Sequence, residues 1–595
     1  MFTRDPEEFT FSDPQEFSKN LITIANRSQE IVRQFLERQN GTSEPVDPVG
    51  LGKAFFELTQ RMMSDPAKMV EAQMALWRDY AALWHSTARR MMGHEREPVI
   101  TPEKSDRRFR HEDWRENQVF DFIKQSYLLS AQWMQRTVRE VDGLDNKTAK
   151  KVDFYTRQFV DAMSPSNFVL TNPEVLRDTL KSNGQNLVSG LENLLADLER
   201  GKDRLHIRMT DHEAFEVGGN VATSPGKVIY QNELMQLLHY APATAKVYKR
   251  PLLIIPPWIN KFYILDLRPD NSFIKWAVER GYTVFVISWV NPDEKLAHKT
   301  FEDYMLEGPL DALDAIEQAT GETSVNVIGY CIGGTLLAAT LAYMAAKGDK
   351  RFNAATFFTT QVDFSEPGEL EVFIDDEQIA SLREKMTEAG YLDGAEMATT
   401  FNMLRANDLI WSFVVNNYLL GRDPFPFDLL YWNSDTTRMP RDMHLYYLEN
   451  MYQKNLLAQP GGLTMAGVPI DLGKITLPIY LQGGREDHIA PFRSVFKAVK
   501  LYGGPVRFML AGSGHIAGVI NPPAAKKYQY WLNPKNPKDL EQWLDGAVEH
   551  PGSWWPDWHK WLSRKSGPKV PARAPSDGKL KPIEDAPGSY VKTPS

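Results

Sequence analysis

One cysteine stands in 595 residues, and it stands in the run Gly329-Tyr330-Cys331-Ile332-Gly333-Gly334. Val325–Ile328 before it reads as a buried strand, and Thr335 to about Ala346 after it reads as a helix. A glycine-bounded turn between strand and helix lifts one side chain above a sheet, and the flanking glycines keep Cβ atoms out of that turn. The pattern is the G-x-S-x-G nucleophile elbow with cysteine in the serine position. Its sulfur lies at a helix N-terminus, whose field attracts an anion. The chemistry this implies is attack on a carbonyl to give a covalent acyl intermediate.

A thiol nucleophile needs a base, and the base needs a group to orient it. On this scaffold the chain order is nucleophile, acid, histidine. The strand Ile479–Gln482 runs into Gly483-Gly484-Arg485-Glu486-Asp487-His488, which puts Asp487 just past a strand end as the orienter. The strand Val506–Leu510 runs into Ala511-Gly512-Ser513-Gly514-His515, which makes His515 the base. Asp363 is the rival acid, one strand earlier, while His488 reads as a loop-shaping neighbour of Asp487. The oxyanion donors expected are the backbone N–H of Ile332 and one from Pro257-Trp258-Ile259-Asn260, with Ile259 the candidate. Gly512-Ser513-Gly514 with Ala517 loosely imitates a dinucleotide loop, but Pro522-Pro523 breaks the helix that loop requires. No C-x-x-C or H-E-x-x-H motif occurs, so no metal is expected.

The elements that position these residues fall into two textures. Residues 1–200 read as a helical domain. One stripe runs through Phe17, Leu21, Ile24, Ile31 and Phe35. A break follows at Gly41–Gly50. A second stripe runs through Met69, Gln73, Leu76, Trp77, Tyr80, Leu83 and Trp84, and a third helix starts near His111. The tryptophans and methionines here either pack on neighbours or face a partner or polymer surface. From about 205 strands alternate with helices, giving an α/β domain over 201–565 with a parallel sheet. Its strands are expected at Lys227–Gln231, Leu237–Tyr240, Leu252–Ile255, Thr283–Ser288 and Ala355–Thr360, besides the three at the candidate triad. The repeat lapses over about 363–473, which reads as an inserted, mostly helical cap. The Pro-, Lys- and Gly-rich end, 566–595, reads as a poorly ordered tail.

Apolar content of 42% and charged content of 24% are those of a globular protein, and a net charge of −9 argues against nucleic acid as the partner. One cysteine excludes an internal disulfide and fits a reducing compartment. The acidic start Met1–Glu8 carries no secretory h-region, so a cytoplasmic location is expected. The uncharged run Val325–Ala346 is long enough to imitate a membrane span, but its strand–turn–helix reading argues against one.

These blocks resemble the class I polyhydroxyalkanoate synthases. The resemblance rests on Gly329–Gly334, Pro256-Pro257-Trp258-Ile259-Asn260-Lys261-Phe262-Tyr263, Asp487–Pro491 and Gly512–Gly518. It also rests on Asp106-Arg107-Arg108-Phe109 with Trp114, Phe120-Asp121 with Lys124–Tyr127, and Pro165–Phe168 with Thr171–Glu174. It implies an α/β-hydrolase fold with a cap, behind a helical N-terminal domain. It implies (R)-3-hydroxyacyl-coenzyme A as substrate, most of all 3-hydroxybutyryl-coenzyme A, and polyester in cytoplasmic granules as product. It further implies an active homodimer, phasin-type granule proteins as partners, and no cofactor beyond the coenzyme A of the substrate. Leu404-Arg405-Ala406-Asn407-Asp408-Leu409 resembles a cap segment facing coenzyme A, which makes Arg405 a contact candidate. Ala586–Lys592 resembles the class I C-terminus. The alternative reading of the elbow is a cysteine hydrolase acting on esters or lactones.

Overall fold

The computed structural model describes residues 13–39, 51–94, 97–201 and 205–594, with backbone only at 28 and 30–39. The acidic start, the break at Gly41–Gly50 and the side chains of Ile31 and Phe35 lie outside the described residues. The chain divides into two units. One is Met1–Asp211 with Phe401–Pro426, and the other is His212–Thr400 with Phe427–Ser595.

Helix starts in the first unit are written locally. Asp65 caps Pro66–Met91, Asn117 caps Gln118–Arg139, Asp145 caps Asn146–Ala162 and Asn172 caps Pro173–Lys181, each side chain accepting first-turn N–H groups. The helix expected from His111 is therefore two, Asp113–Glu116 and Gln118–Arg139, separated by the Asn117 cap. Phe109, Trp114 and Phe120 form a small core beside them. The charged residues nearby serve structure. Arg108 pairs with Asp106 at 2.9 Å and Asp161 at 3.1 Å, and Lys124 pairs with Asp121 at 2.8 Å. The second apolar stripe splits. Leu83 is buried, whereas Met69, Trp77 and Trp84 are exposed.

The segment 401–426, inside the stretch read as cap, packs within the helical unit. A Cβ at Gly190 would lie 1.9 Å from the Tyr418 carbonyl oxygen, so only glycine admits that close approach. Asp197 accepts the Tyr418 hydroxyl at 2.8 Å, and Asn186 donates to the Leu419 carbonyl at 2.7 Å. No local periodicity encodes these pairs, which lie more than two hundred residues apart in sequence.

The second unit is built on an eleven-stranded sheet. In chain order the strands are β1 Gly226–Gln231, β2 Met235–Tyr240, β3 Leu252–Ile255, β4 Val284–Trp289, β5 Val325–Tyr330, β6 Phe352–Phe358, β7 Ile479–Gly484, β8 Val506–Ala511, β9 Gln529–Leu532, β10 Val548–Pro551 and β11 Glu584–Asp585. Their spatial order is β10-β9-β8-β7-β6-β5-β3-β4-β2-β1-β11. Strands β3 to β8 are mutually parallel, and β1, β2, β9, β10 and β11 pair antiparallel. All six residues of β4 and of β5 are buried, as a parallel sheet covered on both faces requires. This is the α/β-hydrolase topology expected from the sequence, with its edge strands antiparallel.

The C-terminal tail is ordered, against expectation. Lys569–Pro571 pairs with Lys246–Tyr248, and β11 extends the sheet beside β1. The buried Lys261 ammonium donates to the carbonyls of Val591 at 2.8 Å and Thr593 at 2.5 Å, and pairs with Asp435 at 2.9 Å. A buried cation needs such partners, and the tail supplies two of them. Among the described residues no helix is long and apolar enough to cross a membrane.

Candidate active site

Cys331 sits between β5 and the helix Ile332–Lys347 with φ of 52° and ψ of −126°. Positive φ is costly for a side-chain-bearing residue and persists only where the surroundings impose it. The glycines around it explain how. A Cβ at Gly329 would meet Gly334 Cα at 2.5 Å, one at Gly333 would meet the Ile255 and Pro256 carbonyl oxygens at 2.5 Å, and one at Gly334 would meet Thr360 Oγ1 at 2.0 Å. The backbones of β3 and the elbow and the Thr360 side chain after β6 therefore touch, and Cys331 is left partly exposed.

His515 and Asp487 arrive on the loops after β8 and β7. Those loops are zipped by backbone bonds, Arg485 N–H to Ala511 O at 2.8 Å and Glu486 N–H to Ser513 O at 3.2 Å. Asp487 Oδ1 accepts the N–H groups of Ile489 and Ala490, each at 2.9 Å. That fixes the carboxylate and aims Oδ2 at His515 Nδ1, 2.7 Å away. With Nδ1–H donating to Asp487, the ring's other nitrogen, Nε2, is the one left to serve the nearby Cys331 sulfur. Burial opposes a charged ring here. The Asp487 carboxylate and the Cys331 sulfur outweigh it and raise the His515 pKa well above its ordinary value. Tyr330 buttresses the ring, its centroid 5.9 Å away and its hydroxyl donating to the His515 carbonyl at 3.3 Å.

The rival acid is engaged elsewhere. Asp363 Oδ1 accepts Ser365 N–H at 2.9 Å, Ser365 Oγ–H at 2.6 Å and Asn455 Nδ2 at 3.0 Å. Burial would raise its pKa, but these bonds and nearby Lys497 lower it. The His488 carbonyl faces Glu369 N–H at 3.5 Å, on the loop leading into the cap.

The oxyanion candidates flank the elbow. Ile332 is the first helical residue, so its N–H precedes the first intrahelical bond. The Pro256–Asn260 loop is held by its carbonyls. Trp289 donates to Pro256 O at 2.9 Å, Thr437 Oγ1 donates to Trp258 O, and Thr437 N–H donates to Ile259 O at 3.1 Å. In a trans peptide the Ile259 N–H points opposite to Trp258 C=O, hence away from Thr437. Arg405 belongs to the helical unit, where it pairs with Asp408.

Two residues escaped the sequence reading. Tyr447 and Tyr452 pack edge to face, their ring centroids 5.4 Å apart. Burial, and with it the nearby Cys331 sulfur, raises the pKa of both. Both pack against Phe364, the Tyr452 ring tilted at 4.9 Å and the Tyr447 ring edge-on at 6.0 Å. Neither lies at a strand end, so no local pattern marked them.

A family model described as the N-terminus of poly-beta-hydroxybutyrate polymerase (PhaC) matches residues 105–277, and one for the alpha/beta hydrolase fold matches 258–517. A poly(3-hydroxyalkanoate) polymerase subunit from Rhizobium meliloti (strain 1021) is 50% identical over 592 residues, covering 98% of this chain and 96% of its own. The chain belongs to the poly(3-hydroxyalkanoate) polymerase family. A polymerase from Methylorubrum extorquens is 50% identical, covering 96% of this chain and 97% of its own. One from Cupriavidus necator is 44% identical and covers 89% of each chain.

Proposed function

We propose that the chain polymerises (R)-3-hydroxyacyl-coenzyme A, in first place 3-hydroxybutyryl-coenzyme A, through a thioester on Cys331. Family membership supports the polymerase activity. The observation that carries the mechanism is the Asp487–His515 pair, 2.7 Å apart, with the Cys331 sulfur near enough to help raise the His515 pKa. Cys331 sulfur attacks the substrate thioester carbonyl, the carbon–sulfur bond to coenzyme A breaks, and the leaving thiolate takes the proton from His515. One thioester has replaced another, so the acyl group keeps its transfer potential, which a serine ester would forfeit. Next, His515 removes the hydroxyl proton of an incoming hydroxyacyl-coenzyme A, whose oxygen attacks the Cys331 thioester; the carbon–sulfur bond to Cys331 breaks, and its thiolate takes that proton back from His515. The chain, one unit longer, sits briefly on coenzyme A and then returns to Cys331. Ile332 and Ile259 N–H groups are assigned to the carbonyl oxygen as it gains charge. Arg405 is assigned to coenzyme A by the resemblance of its segment.

In this reading the enzyme works as a homodimer at the surface of cytoplasmic polyester granules, alongside phasin-type proteins, and needs no added cofactor. Incubation with 3-hydroxybutyryl-coenzyme A tests it. Free coenzyme A together with polymer is expected. Free 3-hydroxybutyrate instead of polymer would assign a cysteine hydrolase, and no coenzyme A release would refute both.

A further inference from the structure

Three stretches far apart in the chain are laced together next to the elbow. The first is the loop after β3, which starts against the elbow, since a Cβ on Gly333 would meet the Pro256 carbonyl oxygen at 2.5 Å. It then runs antiparallel to the second stretch, 432–438. Asn260 bridges Thr436, Thr437 holds the Trp258 and Ile259 carbonyls, and Trp432 donates its indole N–H to Lys261 O at 2.6 Å. That second stretch lies in the insertion between β6 and β7 and has no strand of the main sheet in it. The third is the tail, which does reach the sheet. Tyr590 N–H donates to Gln236 Oε1 on β2 at 3.1 Å, and its hydroxyl donates to Asn232 O in the β1–β2 turn at 2.7 Å.

Lys261 joins all three. Its ammonium is buried and has three N–H groups, and it finds three acceptors: Val591 O at 2.8 Å, Thr593 O at 2.5 Å and Asp435 Oδ1 at 2.9 Å. The other Asp435 oxygen accepts the Tyr263 hydroxyl at 2.9 Å, which closes the loop on itself. Asn291, just past β4, repeats the link. Its Nδ2 donates to Pro594 O at 2.8 Å and its Oδ1 accepts Arg438 N–H at 2.9 Å. An apolar side chain would fill this space without the desolvation cost of an ammonium. Asp435 neutralises the charge, so what the ammonium adds is a fixed direction at each bond.

The two N–H groups assigned to the substrate oxygen are therefore supported differently. Ile332 is rooted in β5 and its helix, whereas Ile259 is held through Thr437 and Lys261 by the insertion and the tail. A donor stabilises a developing oxyanion only when it stands at hydrogen-bond distance from where that oxygen will be.

We infer that Lys261 is a positioning residue for the thioester chemistry: tied to the tail carbonyls and to Asp435, it holds the Ile259 N–H at the place the oxyanion requires. This rests on the Cys331 thioester and the Ile259 donor proposed above.

The test compares two reactions of Cys331 in the full chain and in Lys261→Met, a side chain of similar length without the charge. Acylation by 3-hydroxybutyryl-coenzyme A, followed as single-turnover coenzyme A release, puts negative charge on a carbonyl oxygen. Alkylation by iodoacetamide displaces iodide from a saturated carbon and puts none there, yet uses the same sulfur and the same His515. Lys261→Met is expected to slow acylation by about tenfold or more, with the half-saturating substrate concentration within about threefold. The alkylation rate and its pH profile should stay as in the native chain. Acylation and alkylation falling together would mean that the elbow itself has moved, and would overturn the inference. So would acylation within about threefold of native. If circular dichroism shows that Lys261→Met does not fold, Asn291→Ala carries the same comparison and the same expectation. A chain ending after Ser589 completes a cycle with Lys261→Met. Both changes cut one link, so the combination should acylate no more slowly than the slower single variant. Multiplied effects would put the tail on a separate path and overturn the link. Coenzyme A release by native chain that survives complete alkylation of Cys331 would sink the thioester reading itself, whatever Lys261 does.

Discussion

Replacing Asp487 by Asn separates a base-orienting acid from a merely structural one. The carboxylate accepts two backbone N–H groups on Oδ1 at 2.9 Å and His515 Nδ1–H on Oδ2 at 2.7 Å. An asparagine must keep its oxygen on the two backbone donors, so its NH₂ faces Nδ1. Two donors cannot bond each other, and the ring proton moves to Nε2, where it blocks acceptance of a proton from the sulfur or the incoming hydroxyl. Loss of an orienting acid in such a triad costs about 10⁴ in rate, which is roughly 5 kcal/mol of barrier. The assay is single-turnover release of coenzyme A from 3-hydroxybutyryl-coenzyme A. Asp363→Asn is the control. It weakens the bonds from Ser365 and Asn455 and should cost about 1 kcal/mol of stability, with activity within a few-fold of the unsubstituted chain. The same pair makes a pH statement. The His515 pKa is raised in the folded chain, so its stabilisation is complete below the unfolded value near 6.5 and fades as pH rises through the folded value. Asp487→Asn removes the largest raising cause, so thermal unfolding followed from pH 6 upward should lose that fall. Asp487→Asn within tenfold of full activity, or Asp363→Asn the more damaging of the two, would refute the assignment.

Cys331→Ala should abolish coenzyme A release with the fold intact by circular dichroism, and Cys331→Ser should be slower by orders of magnitude, because a hydroxyl is far less acidic than a thiol. Gly334→Ala places a Cβ 2.0 Å from Thr360 Oγ1. It should cost about 1–3 kcal/mol in denaturant unfolding and lower the acylation rate as the elbow shifts. Ending the chain after Ser589 removes both tail carbonyls that Lys261 reaches, leaving Asp435 as its charged partner. The expected loss is about 2 kcal/mol in thermal unfolding, with faster proteolysis at 256–261, and unchanged stability would show that the tail does not hold that loop.

The sequence by itself determined the parts whose cause is local. A strand, glycines and a helix in succession specify the elbow at Cys331. An acid and a histidine just past two later strands mark Asp487 and His515, because a parallel sheet gathers its C-terminal strand ends at one edge. Apolar runs fix the central strands, since burial on both faces leaves no alternation to read. What the tertiary structure alone decided depends on residues far apart in the chain. Asp363 and Asp487 both follow strands, and only the folded loops assign one to Ser365 and Asn455 and the other to His515. Tyr447 and Tyr452 come near the thiol from a region without a repeat. The tail looked unstructured by composition, yet an unpaired strand edge and a buried ammonium hold it in place. The stripe at residues 69–84 has helical spacing whichever side it buries. Docking on Gln118–Arg139 chose the Leu83 side, laid the part-exposed Trp84 ring on Phe122 and left Trp77 facing outward, because periodicity fixes a face and only packing says what covers it.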